Sequence, residues 1–132
     1  MDLIVLYLAT AMIFLVIDAI GLKLLLRPLF ERHVGELLVP SFRLGPAIGF
    51  YLFYVAVLVA LVSWPELYGT TYSGVFLQAA LLGALAYGTY EFTNLATLKP
   101  WHWSMVVTDM IWGISVTATS VTAGLAVARM LF

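Results

Sequence analysis

Long apolar stretches alternate with short polar connections along this chain, at residues 3–26, 44–64, 72–98 and 103–131. Each is at least as long as the roughly 20 residues that a helix needs to cross a hydrocarbon core of about 30 Å. Backbone N–H and C=O groups find no water in lipid, so a stretch of this kind must bond to itself as a helix. The connections read RPLFERHVGELLVPSFR, PELYGT and KPWH, with Pro65 and Pro100 where a helix should stop. The pattern predicts an all-α, integral membrane four-helix bundle. With no linker, low-complexity tract or internal repeat, residues 1–132 form a single transmembrane domain.

The first connection has its own order. Leu29, Phe30, His33, Val34, Leu37 and Leu38 fall on one helical face, and Arg27, Glu31, Arg32 and Glu36 on the other. Pro28 suits a first helical position. The spacing predicts a short amphipathic interfacial helix between helices 1 and 2, against the plainer reading of a polar loop.

Composition strengthens the class assignment. The chain is 64% hydrophobic and 10% charged, where a soluble domain carries about 25% charged residues. Net charge −1 gives no broad basic surface, so nucleic acid is not an expected partner. The absence of cysteine removes disulfides and thiolate metal sites. The opening MDLIVLYLAT lacks the basic start of a secretory signal and reads as a retained helix. Lys23, Arg27, Arg32, Arg43 and Lys99 border the first and third connections, and Arg129 alone lies at the opposite end. That bias places connections one and three in the cytoplasm and both termini on the periplasmic side.

Three acids break the apolar pattern: Asp18 in helix 1, Glu91 in helix 3 and Asp109 in helix 4. An ionisable group costs several kcal/mol in a bilayer unless it is paired, hydrated or neutralised, so such groups mark function by default. Counted from the cytoplasmic helix ends, they lie about 12, 10 and 9 Å deep at 1.5 Å per residue. Ala80, Ala84 and Gly88 form a small-residue stripe that Glu91 continues, which turns Glu91 toward the bundle. Gly113 and Ser120 share a face with Asp109, Gly21 lies near Asp18, and Gly45 and Gly49 give helix 2 a GxxxG spacing. The three acids are therefore expected to converge, with Asn94, Tyr87 and Tyr90 as supporting ligand-binding groups.

Three carboxylates in one low-dielectric site cannot all stay ionised without a cation. Either some are neutral and donate hydrogen bonds, or a cation sits among them, and acid oxygens with the Asn94 carbonyl and water suit a hard divalent ion. The bland alternative is a satisfied polar network that locks the bundle. Trp64, Tyr68, Tyr72, Trp101 and Trp103 read as interfacial belts, His33 and His102 as interfacial residues, and Trp112 as a pocket wall or core packing. No recognised catalytic motif is present, and nothing names a cofactor.

The stretch AYGTYEFTNLATL, residues 86–98, with Asp18 and with Asp109-Met-Ile-Trp-Gly113, resembles the bacterial domain-of-unknown-function 2177 family of predicted integral membrane proteins. The resemblance covers essentially the whole chain and implies a multi-pass protein of the bacterial cytoplasmic (inner) membrane, with no established activity. In the family pattern an aromatic residue stands where this chain has Gly21, a departure expected to widen a pocket near Asp18. Asp is frequent where this chain has Glu91, which keeps the carboxylate.

Three functions fit this reading. The first is an acid-lined intramembrane site that binds or handles a small ligand, cation or lipid group near the cytoplasmic leaflet. The second is a non-catalytic accessory subunit of a larger membrane complex or homo-oligomer. The third is a proton-coupled transporter that acts as an oligomer.

Overall fold

In the computed structural model, which describes residues 1–132, every predicted apolar stretch is a helix and no strand forms. Helix α1 (Asp2–Gly21) passes through a π-helical segment, Leu22–Leu26, into α2 (Arg27–Val34). Helix α3 (Leu44–Leu58) likewise runs into a π-helical turn, Val59–Ser63. Helices α4 (Ser73–Thr97) and α5 (Trp103–Leu131) complete the chain. Three stretches are long and apolar enough to cross a membrane: Asp2–Leu37, Leu44–Glu66 and Trp103–Leu131. With its 25 residues α4 is also long enough, but Gln78, Tyr87, Thr89, Tyr90 and Glu91 dilute its apolar character.

The amphipathic segment is continuous with the first span. Its apolar face packs on the α4–α5 connection. Phe30 meets the Trp101 ring edge-on at 5.4 Å, and His33 stacks on His102 at 4.5 Å. Ser104 bridges the two imidazoles. On the polar side Arg27 and Glu31 form the chain's single ion pair. The π segment just before it adds a residue to the local turn and so re-phases the helix face.

Helix α5 is the axis of the bundle. It packs most extensively against α4, then against α1, and α3 leans on α1. Glycines decide how near these neighbours come. A methyl group placed at Gly124 would lie 2.0 Å from the Thr10 hydroxyl and 2.9 Å from its Cα, so α1 and α5 touch backbone to side chain there. At Gly83 it would lie 2.9 Å from the Gly113 carbonyl, which fixes the α4–α5 crossing. Small residues allow this approach where lipid supplies no hydrophobic drive between helices.

The buried ridge of α4 is therefore Val75, Ala79, Gly83 and Glu91, with Tyr87 partly buried in register between the last two. The predicted stripe of Ala80, Ala84 and Gly88 is set one position off this ridge and only half-buried. The GxxxG of helix 2 does no packing inside the chain, since nothing lies within 4 Å of a side chain at Gly45 or Gly49. Spacing alone did not say which face of α3 would meet a neighbour.

The apolar core occupies the half of the bundle that holds both termini, around Phe14, Val55, Leu58, Val116, Val121 and Leu125. That end is laced shut. Arg129 donates to the carbonyls of Glu66, Leu67 and Thr71, and its guanidinium lies over the Tyr72 ring. The Tyr68 hydroxyl donates to Asp2, a bond that holds this exposed phenol above its ordinary pKa. The first and third connections gather at the opposite end, as four antiparallel helices require.

Helix α3 reaches α4 chiefly through Val59–Ser63. Toward its start the two helices part, and a cleft opens between them with the acids at its floor.

Candidate functional site

The cleft has a volume of about 830 Å³ and is lined by 21 residues, of which 17 are hydrophobic. That volume lies within the roughly 300–1,000 Å³ of small-molecule sites. One wall comes from α3 (Phe50, Tyr51, Tyr54) and the facing wall from α4 (Leu85, Tyr87, Tyr90). Its rim is apolar: Phe50 is 60% and Leu85 66% exposed. Asp18 from α1 and Asp109 from α5 are the only carboxyl groups in the lining, and they are 2% and 5% exposed.

Asp18 is held by an indole. The Trp112 Nε1–H donates to Asp18 Oδ1 at 3.1 Å, and the Tyr51 hydroxyl lies within reach of the same carboxyl. The ring of Trp112 occupies the space over Gly21, where a methyl group would sit 2.0 Å from it. Gly21 therefore does not widen a pocket, as its departure from the family pattern suggests. It clears the room in which an aromatic from α5, instead of one from α1, reaches the acid.

Glu91 is fully buried and does not line the cleft. Its Oε1 accepts from the Trp101 Nε1–H at 3.0 Å, while Oε2 has no partner. The carboxyl of Asp109 lies against it. Two carboxyl groups in contact can hydrogen-bond only if one of them carries a proton; Asp109 stands on the cleft side and Glu91 behind it. Trp101, expected as a belt residue, is drawn inward by that bond and by edge-on contacts with Phe30 and Tyr90.

The three acids thus occupy one region, from three helices, at unequal depth from the cleft surface. The supporting groups divide. Tyr87 and Tyr90 line the cleft, and the Tyr87 hydroxyl is buried without a partner. The Tyr87 ring lies on Gly113, where a methyl group would fall 2.1 Å away. Asn94 faces Tyr90 and stands outside the cleft. None of these three bonds to Glu91, whose indole and carboxyl partners come from beyond α4. No three His, Asp or Glu side chains are grouped to hold one metal ion together, and Asn94 stands outside the cleft that Asp18 and Asp109 line.

Two further participants, Tyr51 and Tyr54, line the cleft beside Asp18. Tyr54 also ties α3 to α5 through its hydroxyl contact with Thr117 at 2.9 Å. Their position on α3 one helical turn apart was visible in the sequence; which side of α3 faces Asp18 was not.

Among known proteins, a family model described as a predicted membrane protein, DUF2177, matches residues 3–126. No curated protein and no solved structure matches the chain.

Proposed function

From the premise that this chain belongs to the DUF2177 family of predicted membrane proteins, we propose that it binds a small amphiphilic ligand inside the membrane. The ligand enters the cleft between α3 and α4, and its polar end meets Asp18 and Asp109. The observation that carries this reading is the placement of two desolvated carboxyls at the floor of a cleft whose rim is apolar. A network that served only to lock the bundle would have no need to face an open cleft. Glu91 stands behind Asp109 as its proton partner; Trp101 orients Glu91, and Trp112 orients Asp18.

Native mass spectrometry of gently extracted protein tests the reading. A bound small molecule or lipid is expected, retained through purification. Ala47→Trp, which adds bulk to the cleft wall where α3 is loosely packed, should release it without unfolding the protein. Full retention in Ala47→Trp, or no ligand on the native protein under any gentle extraction, counts against the cleft.

In the bilayer all four long helices cross, with the first and third connections in the cytoplasm of the bacterial inner membrane and both termini in the periplasm. Five of the six basic residues support that orientation. Arg129, the remaining one, has its guanidinium taken up by three carbonyls and the Tyr72 ring. Reporter fusions to the C-terminus should be active only on the periplasmic side. A cytoplasmic signal inverts the topology and moves the cleft to the outer leaflet.

A further inference from the structure

The charge at the floor of the cleft has no counterpart within the protein. Neither Asp18 nor Asp109 forms an ion pair with a Lys, Arg or His side chain. The one cationic group in the lining, Arg27, pairs with Glu31, donates to the Val39 carbonyl and lies over the Phe42 ring. Asp109 is 5% exposed, and its partner is another carboxyl, Glu91, not a cation. Asp18 receives an indole N–H and faces a tyrosine hydroxyl, the donors that dress a carboxylate without neutralising it. A buried carboxylate left in this state is costly unless something positive completes it.

The walls supply the second half of a recognition site. Tyr51, Tyr54, Tyr87 and Tyr90 all line the cleft, and Phe50 joins them. Aromatic ring faces carry negative electrostatic potential and attract ammonium-type cations, most strongly away from water. Aromatic walls beside unpaired acids suit a cation whose charge is wrapped in apolar groups. They repel an anionic headgroup, and a purely apolar occupant would leave the acids unmatched.

Resting on the cleft reading above, we propose that the occupant is a lipophilic organic cation, an ammonium or phosphonium compound with an apolar body. It enters through the apolar rim at Phe50 and Leu85 and seats its charge against Asp18 and Asp109. The Glu91–Asp109 pair gives the site a means of adjusting its charge, because the proton shared by the two carboxyls is the one that an incoming cation displaces. The displaced proton leaves to solvent, so binding is coupled to its release and tightens as pH rises.

The test compares two ions of nearly equal shape and opposite charge, tetraphenylphosphonium and tetraphenylborate, by equilibrium dialysis against the intact protein in uncharged detergent. Saturable phosphonium binding is expected, tighter than borate binding by about tenfold or more. Asp109→Asn and Asp18→Asn should each weaken phosphonium binding by about tenfold. Phosphonium binding to the native protein should strengthen with pH. Borate binding equal to or tighter than phosphonium binding overturns the proposal, as does the absence of phosphonium binding. If borate binds saturably and Ala47→Trp blocks it, the cation fails while the cleft stands. If an Asn variant does not fold, the phosphonium–borate comparison on native protein decides alone.

Discussion

Glu91→Ala is expected to cost about 3–5 kcal/mol of stability, while Glu91→Gln changes it by about 1 kcal/mol or less. Glu91 is fully buried, so alanine leaves a void. It also strands the Trp101 indole N–H and removes the carboxyl that lies against Asp109. Glutamine keeps both links. Its carbonyl accepts from Trp101, and its amide donates to Asp109, replacing the shared proton with a fixed N–H. Unfolding followed by far-UV circular dichroism across a detergent denaturation series measures the difference. The substitution also separates scaffold from site. Glu91→Gln should fold and bind the phosphonium ion, but lose the pH dependence of binding, since the amide has no proton to release. Equal destabilisation by alanine and glutamine would show that Glu91 works through its charge in the folded bundle, not through the bonds described.

The second large effect lies far from the acids. Gly124→Leu should abolish the folded protein, because its Cβ alone would stand 2.0 Å from the Thr10 hydroxyl and 2.9 Å from the Thr10 Cα. A hydroxyl can turn aside; a backbone atom moves only if α1 and α5 separate along their contact. Overpacking of an ordinary core costs about 1–3 kcal/mol, and a forced separation of two spans should exceed that. Gly124→Ala ought to be intermediate and partly rescued by Thr10→Gly, which removes the hydroxyl but not the Cα. Gly45→Ala and Gly49→Ala provide the contrast, since open space surrounds both, and neither should shift the unfolding midpoint measurably. Wild-type expression and melting of Gly124→Leu would mean that α1 and α5 are not held this closely.

The resemblance of the helix-3 motif and the family match over residues 3–126 agree on membership, but they carry no chemistry. The chemistry came from side chains that the sequence could name but not place. Asp18, Glu91 and Asp109 stood out at once because an acid in an apolar stretch is conspicuous against its neighbours. Trp101 and Trp112 did not, because an indole looks the same whether it anchors an interface or donates to a buried carboxyl. The difference lies in a partner about ten residues away for Trp101 and in another helix for Trp112.

By itself the sequence determined the all-α class, the helix extents and the presence of buried acids in three helices. These are local consequences: apolar length dictates helices in lipid, prolines and polar runs end them, and a charge in such a run is visible without knowing its neighbours. Helix α5 begins and ends where the pattern placed it, at Trp103 and Leu131. Only the tertiary structure decided which faces meet. It set the buried ridge of α4 on Ala79 and Gly83, left Gly45 and Gly49 unused, filled the space over Gly21 with Trp112, and put Glu91 behind Asp109. In a chain that is apolar all round, periodicity gives no inner and outer side, since lipid and protein interior are equally apolar. Steric fit between helices chooses the faces there, and that fit belongs to pairs of helices, not to any one of them.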